Sequence, residues 1–136
     1  MPEDKNFITM LGTGNALATR CYNTCFTLHS SSGAVLMVDA GGGNGVLSQL
    51  ERAGIQCRDV HNLFVTHAHT DHLLGCVWIM RMALQFHYSL HVWSHQKVLR
   101  LLDDICRQVL PWPLHGCGRH GGCNHLINHR LHTQTS

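Results

Sequence analysis

Short apolar runs alternate with glycine-rich and polar breaks along this chain, and the pattern predicts a mixed α/β fold. Runs rich in β-branched and aromatic residues predict strands, because such side chains suit a pleated, half-buried surface. The predicted strands cover residues 7–11, 25–30, 34–39, 63–65 and 90–93. The polar residues 30–33 between the second and third strands are typical of a hairpin turn.

Apolar residues that recur every three or four positions predict three helices. The first begins after Asn44, a good N-cap, and ends at Gly54. The second covers residues 73–86 and carries a single charge, Arg81. The third begins after Ser94 and continues to about residue 109. Because the second helix is apolar on nearly all sides, we expect it to face a dimer partner or a missing part of the fold.

A cluster of potential metal ligands follows the strand predicted at residues 63–65. His67, His69, Asp71 and His72 stand in the order His-x-His-x-Asp-His. Imidazole and carboxylate are the ligands that zinc takes in catalytic sites. In an extended loop His67 and His69 point to the same side, because side chains alternate with period two. Asp71 and His72 follow one short turn later and can face a second ion. A plain surface loop or a cloning tag would not show this regular order after a strand.

The motif resembles the signature of the metallo-β-lactamase fold hydrolases. Residues 7–16 look like the opening strand and Gly-rich loop of the ribonuclease Z branch, and residues 23–26 are similar to its next segment. Residues 35–41 resemble the first motif of the superfamily, a strand that ends in Asp39 with a glycine close behind. The resemblance extends from residue 7 to about 110. It implies an α/β fold in which this chain forms the N-terminal half of an αβ/βα sandwich and is therefore truncated.

The resemblance also implies a chemistry. His67 and His69 would bind one Zn²⁺ and Asp71 and His72 a second, with Asp71 orienting the attacking water and acting as general base. Two ions are expected in the complete fold, and one or fewer well held here. The implied substrate is tRNA or another phosphodiester. The alternatives are a hydrolase of an ester, lactone, thioester or cyclic nucleotide, or a non-catalytic truncated fragment.

Asp39 and the glycine-rich loop at residues 12–15 are expected on the same rim of the sheet as residues 66–72, which carry the four candidate ligands and are called the metal loop below. We interpret Asp39 as a group that hydrogen-bonds this loop and orients its imidazoles, rather than as a ligand. Gly12-x-Gly14 lacks the third glycine and the lysine of nucleotide-binding motifs. A tight turn close to the metal pocket is therefore the better interpretation.

Composition narrows the classes of protein to which the chain can belong. A length of 136 residues predicts one domain, and an apolar fraction of 44% argues against global disorder. A net charge of +2 is too small to imply nucleic acid by itself. Seven cysteines lack a disulfide-like spacing, and neither a secretory leader nor a membrane-length apolar run is visible. These features predict unpaired thiols, a cytoplasmic location and no membrane partner. A homodimer is expected if the fold is complete.

The composition changes abruptly after residue 110. Residues 1–110 form the predicted partial domain, whereas residues 111–136 are rich in His, Gly and Cys, and no acidic residue follows Asp104. We predict no strand in this tail and expect it to be disordered or translated out of frame. A small zinc site is the alternative, and its candidate residues are Cys117, His120, Cys123, His125 and His129. Without a later Asp, the bridging ligand of the superfamily has no counterpart.

Overall fold

The computed structural model describes residues 5–110 and 131–133, with side chains over residues 5–110. The strands are β1 (Phe7–Gly12), β2 (Cys25–His29), β3 (Val35–Val38), β4 (Val60–Phe64), β5 (His91–Ser94) and β6 (Leu131–Thr133). The helices are α1 (Gly45–Arg52), α2 (Thr70–Gln85) and α3 (Gln96–Val109), and a short 3₁₀ turn covers Cys57–Asp59. The alternation of strands and helices that the apolar pattern predicted is therefore confirmed.

The six strands form one sheet in the order of the chain. The pairs β1–β2 and β2–β3 are antiparallel, whereas the pairs β3–β4, β4–β5 and β5–β6 are parallel. Parallel strands need a crossover connection, which α1, α2 and α3 supply in turn. The carboxyl ends of β3, β4 and β5 therefore meet at one edge of the sheet, and loops from different parts of the chain converge there.

One face of the sheet packs against the helices. Met37, Leu63 and Val92 are paired neighbours across β3, β4 and β5, and each is at most 1% exposed. Helix α2 lies in contact with both α1 and α3, and its Ile79 and Leu84 belong to the same core. The apolar character of α2 is thus mostly accounted for within the chain, because neighbours lie on either side of it.

Two predicted helix starts were wrong. Helix α2 begins at Thr70 rather than at residue 73, so the end of the metal motif forms its first turn. Helix α3 is capped by His95, whose Nδ1 accepts a hydrogen bond from the Lys97 amide at 3.1 Å. Ser94 instead ends β5 and donates its hydroxyl to the Val65 carbonyl at 2.7 Å. A serine hydroxyl can hydrogen-bond the backbone at the end of a strand as well as at the start of a helix. The position of Ser94 in the sequence therefore did not distinguish a strand end from a helix N-cap.

The prediction of no strand in the tail was also wrong, because β6 pairs with β5 through residues 131–133. Residues 111–130 and 134–136, with the predicted disorder and the alternative zinc site, lie outside the described residues. Among the described helices, none combines the length and apolar character that crossing a bilayer requires.

All five cysteines of the described residues are free, as predicted, and they differ in exposure. Burial raises the pKa of Cys25 and of Cys106 to about 12, whereas Cys21 is exposed. Because the thiolate is the reactive form, we expect iodoacetamide at pH 8 to alkylate Cys21 roughly tenfold or more faster than Cys25 and Cys106. Peptide mapping by mass spectrometry measures this ratio, and chain unfolded in urea is the control. Equal rates in the folded protein would contradict the buried placement.

Candidate metal centre

Asp39 joins the ends of two neighbouring parallel strands. It follows β3 directly, is 4% exposed, and has a positive φ of 57°. Its backbone amide donates to the Phe64 carbonyl at 2.8 Å. Its carboxylate accepts the Thr66 amide at 2.8 Å and the Thr66 hydroxyl at 2.7 Å. One buried side chain therefore holds the start of the metal loop against the end of β3.

The same carboxylate determines which ring nitrogen of His67 and of His72 carries no proton. Asp39 Oδ2 lies 2.8 Å from Nδ1 of His72, and a carboxylate can only accept, so this nitrogen carries the proton. The Thr66 hydroxyl gives its single proton to Asp39 and must accept from Nδ1 of His67, 2.7 Å away. In the neutral form of each ring, the lone pair then belongs to Nε2. This is the tautomer that a ring needs if Nε2 is to bind a metal.

The structure brings the four predicted ligands together at the end of β4. The centroid of the His67 ring lies 4.4 Å from that of His69 and 4.2 Å from that of His72. Oδ2 of Asp71 lies 3.2 Å from Nε2 of His72. Since α2 begins at Thr70, Asp71 and His72 stand in its first turn, where the helix dipole favours negative charge.

The donor types fit zinc, and the geometry fits it in part. Two ligands of one tetrahedral zinc lie roughly 3.3 Å apart, given bonds of about 2.0–2.1 Å. The 3.2 Å between His72 and Asp71 matches that separation. Within residues 5–110, however, no three His, Cys, Asp or Glu side chains are arranged as a metal-holding group. The site thus contains suitable donors in close pairs rather than a closed set of ligands.

Asn23 connects the glycine-rich loop to the metal loop. Its side-chain amide donates to the Asn15 carbonyl at 2.9 Å, and its Oδ1 accepts the Gly42 amide at 3.0 Å. A Cβ on Gly42 would lie 3.7 Å from Cα of Asp71. The predicted proximity of residues 12–15 to the metal loop is therefore indirect and passes through two intermediate residues.

Tyr22 and Thr66 are two structural residues of the site that sequence reasoning missed. The Tyr22 hydroxyl donates toward the carbonyls of Ala40 and Gly43, at 2.7 and 3.0 Å. Burial raises its pKa to about 12, so the hydroxyl keeps its proton at neutral pH. Thr66 opens the histidine motif, but nothing in the pattern signals its bond to Asp39. Its position directly before the first ligand is the one clue that the sequence offers.

The parallel crossovers, the strand ends at one edge and the His-x-His-x-Asp-His loop define a chain of the metallo-β-lactamase fold. Human tRNase Z, short form, superposes with a TM-score of 0.65 at 18% identity, over 76% of this chain and 39% of that chain. The metallo-β-lactamase fold protein YhfI from Bacillus subtilis superposes with a TM-score of 0.58 at 22% identity, over 71% and 40%. These similarities confirm the predicted fold and show that the chain covers only part of it.

The sequence profile of the family described as Anti-Pycsar protein Apyc1 matches residues 7–109, and the chain belongs to that family. Among individual relatives, Ribonuclease Z of Methanosarcina acetivorans is 37% identical over 68 residues, which are 50% of this chain and 22% of that protein. Anti-Pycsar protein Apyc1 of Bacillus phage 010DV004 is 32% identical over 68 residues, 50% of this chain and 26% of that protein. The chain thus spans about a quarter of the length of these curated relatives.

Proposed function

We propose that this chain is the metal-binding N-terminal part of a metal-dependent phosphodiesterase of the metallo-β-lactamase fold, acting on a cyclic nucleotide. The hydrogen-bond network of Asp39 is the observation that carries the proposal. It leaves Nε2 of His67 and of His72 unprotonated, in two rings whose centroids lie 4.2 Å apart. A network that orients imidazoles in this way behind a pair of potential ligands is typical of metal sites.

In this proposal His67 and His69 hold one zinc ion, and Asp71 and His72 hold a second. Zinc, when bound, would lower the pKa of water and neutralise charge on the phosphoryl oxygens. Asp39 keeps the imidazoles in the correct tautomer, partly through the Thr66 hydroxyl. The Asp71 carboxylate orients the attacking water and takes its proton as general base.

A small substrate is favoured over tRNA on two grounds. The family match covers residues 7–109, and the family is named for its action against Pycsar rather than for a ribonuclease. Polyanions such as tRNA are held by many Lys and Arg contacts, whereas the whole chain has a net charge of only +2. Cleavage of tRNA precursors is the second candidate, and the identity to Ribonuclease Z of Methanosarcina acetivorans favours it.

Zinc binding and single-turnover hydrolysis test the proposal together. We expect the purified chain to bind zinc weakly and to hydrolyse close to background, because the chain spans only part of its relatives. With protein in excess over substrate, slow zinc-stimulated loss of a cyclic nucleotide should still be measurable. His67→Ala combined with His69→Ala should abolish both zinc binding and turnover. His87→Asn is the matched control, since His87 is exposed and its positive φ of 55° suits asparagine.

Three other outcomes would contradict the proposal. Preferential cleavage of precursor tRNA would favour a ribonuclease Z-like activity, and hydrolysis of an ester, lactone or thioester alone would favour another hydrolase of this fold. Absence of zinc-stimulated hydrolysis with every substrate would indicate a non-catalytic fragment.

A further inference from the structure

Tyr22 connects the loop after β1 with the loop after β3. Its carbonyl accepts the Gly14 amide at 2.7 Å, so its backbone is bound to the first of these loops. Its hydroxyl reaches the second, residues 40–43, and lies 2.7 Å from the Ala40 carbonyl oxygen and 3.0 Å from that of Gly43. One side chain therefore links two loops that are separate in the sequence.

Two carbonyl oxygens share the single proton of this hydroxyl. Ala40 is fully buried, so its carbonyl would become a buried acceptor without this donor, which is destabilising. Burial also raises the pKa of Tyr22 to about 12, so the donor keeps its proton at neutral pH. The shape of the loop at residues 40–43 therefore depends on the Tyr22 hydroxyl.

The Tyr22 ring lies directly on two glycines. A Cβ on Gly41 would collide with the ring, and a Cβ on Gly45, at the start of α1, would lie 2.8 Å from it. A larger residue at either position would displace the ring. The chain thus leaves room for a large aromatic side chain at the point where its hydroxyl meets the loop.

The backbone that Tyr22 holds is also the backbone that meets the metal motif. Ala40 is bound to Tyr22 through its carbonyl and to His72 through its amide, which donates to the His72 carbonyl at 3.3 Å. Asp39 precedes it with a positive φ of 57°, a conformation that is uncommon outside glycine. A loop released at Ala40 would allow Asp39 to move away from Nδ1 of His72, which lies 2.8 Å from its carboxylate.

We propose that Tyr22 is a positioning residue of the metal centre, whose hydroxyl fixes the loop at residues 40–43 so that the Asp39 carboxylate meets Nδ1 of His72. This role rests on the metal binding proposed above. It also gives a purpose to Gly12, because a Cβ there would lie 2.6 Å from the Tyr22 carbonyl oxygen. The glycine-rich turn anchors Tyr22 and needs no ligand of its own.

Tyr22→Phe tests this role because it removes only the hydroxyl, and Tyr88→Phe is the matched control. Tyr88 is also half-buried, and its hydroxyl donates to Sγ of Cys57 at 3.5 Å, beyond the far end of α2. Proton–nitrogen correlation NMR of the metal-free 136-residue chain shows which ring nitrogen of His72 carries the proton. At about pH 8.5 an ordinary histidine ring is neutral. We expect the proton on Nδ1 in wild type and in Tyr88→Phe, and a mixture of both tautomers in Tyr22→Phe.

Zinc calorimetry is the second measurement. Tyr22→Phe should weaken zinc binding by roughly tenfold, as the loss of a group that orients ligands does, whereas Tyr88→Phe should change it by less than about twofold. Gly45→Ala keeps the hydroxyl but pushes the ring away from Gly41, so it should also weaken zinc binding, although alanine is the better helix former. Far-UV circular dichroism should show every variant folded.

A merely structural Tyr22 would give a different result. Tyr22→Phe would then lower the urea midpoint, but the proton of His72 would stay on Nδ1 and zinc affinity would not change, which would overturn the proposal. Equal effects of Tyr22→Phe and Tyr88→Phe on His72 would overturn it as well. The NMR measurement needs no metal. If wild type binds no zinc but the His72 proton still moves in Tyr22→Phe, the proposed phosphodiesterase function fails and the positioning of His72 by Tyr22 stands.

Discussion

Asp39→Ala is expected to lower the free energy of unfolding by about 3 kcal/mol and to weaken zinc binding by roughly tenfold or more. The substitution removes hydrogen bonds from the Thr66 amide, the Thr66 hydroxyl and Nδ1 of His72. Bonds to a charged acceptor contribute about 1.5–3 kcal/mol each, and part of this returns when water reaches the freed donors. The positive φ of 57° adds strain, since alanine tolerates this region less well than Asp or Asn.

Asp39→Asn separates the chemical role of the carboxylate from its structural role. Asparagine suits the positive φ, and its oxygen can still accept the Thr66 amide. Its NH₂ group would then face two donors, the Thr66 hydroxyl and Nδ1 of His72. Both must turn their protons elsewhere, which moves a proton onto Nε2 of His72 and, through Thr66, of His67. We therefore expect a small loss of stability but a loss of zinc affinity comparable to that of alanine.

Urea unfolding and zinc calorimetry on the same preparations measure the two effects. Asp104→Ala is the matched control, because Asp104 is an exposed acidic residue of α3. It should change both quantities little. Zinc affinity that is unchanged in both Asp39 variants would show that Asp39 only shapes a turn.

The sequence predicted the position of the metal loop well and the hydrogen bonds behind it poorly. The His-x-His-x-Asp-His order after an apolar strand located all four candidate ligands at the end of β4. The helix boundary was less accurate, because Thr70 and Asp71 are polar and carry no apolar period, yet they form the first turn of α2. Apolar spacing reports the buried face of a helix, and a first turn at a site edge has none.

The local sequence pattern also did not predict what packs against each face of the sheet. Residues 35–38 read Val-Leu-Met-Val, without the alternation of a half-exposed strand. Such a run is typical of a strand buried on both faces. In the structure the helices bury one face of this strand, whereas Leu36 and Val38 on the other face remain partly exposed. A continuous apolar run indicates that both faces of the strand are buried in the complete fold, but it does not identify what packs against the second face.

Close packing between α2 and the loop after β3 depends on a glycine. Gly75 lies in the second turn of α2, and its amide donates to the Gly41 carbonyl at 2.7 Å. A Cβ at this position would collide with the Ala40 carbonyl oxygen. The Ala40 amide also donates to the His72 carbonyl at 3.3 Å. The helix that carries Asp71 and His72 therefore rests with its backbone directly on the backbone that carries Asp39.

Gly75→Ala is expected to lower the free energy of unfolding by roughly 2–3 kcal/mol, since the collision forces the helix away from the loop. The sign distinguishes this packing from helix propensity, because alanine in an unobstructed helix position would stabilise by about 1 kcal/mol. Displacement of α2 should also move His72 away from Asp39 and weaken zinc binding. Gly43→Ala is the control, as a Cβ there meets nothing within 4 Å. Urea unfolding followed by circular dichroism measures both variants, and a Gly75→Ala protein as stable as wild type would refute the close approach.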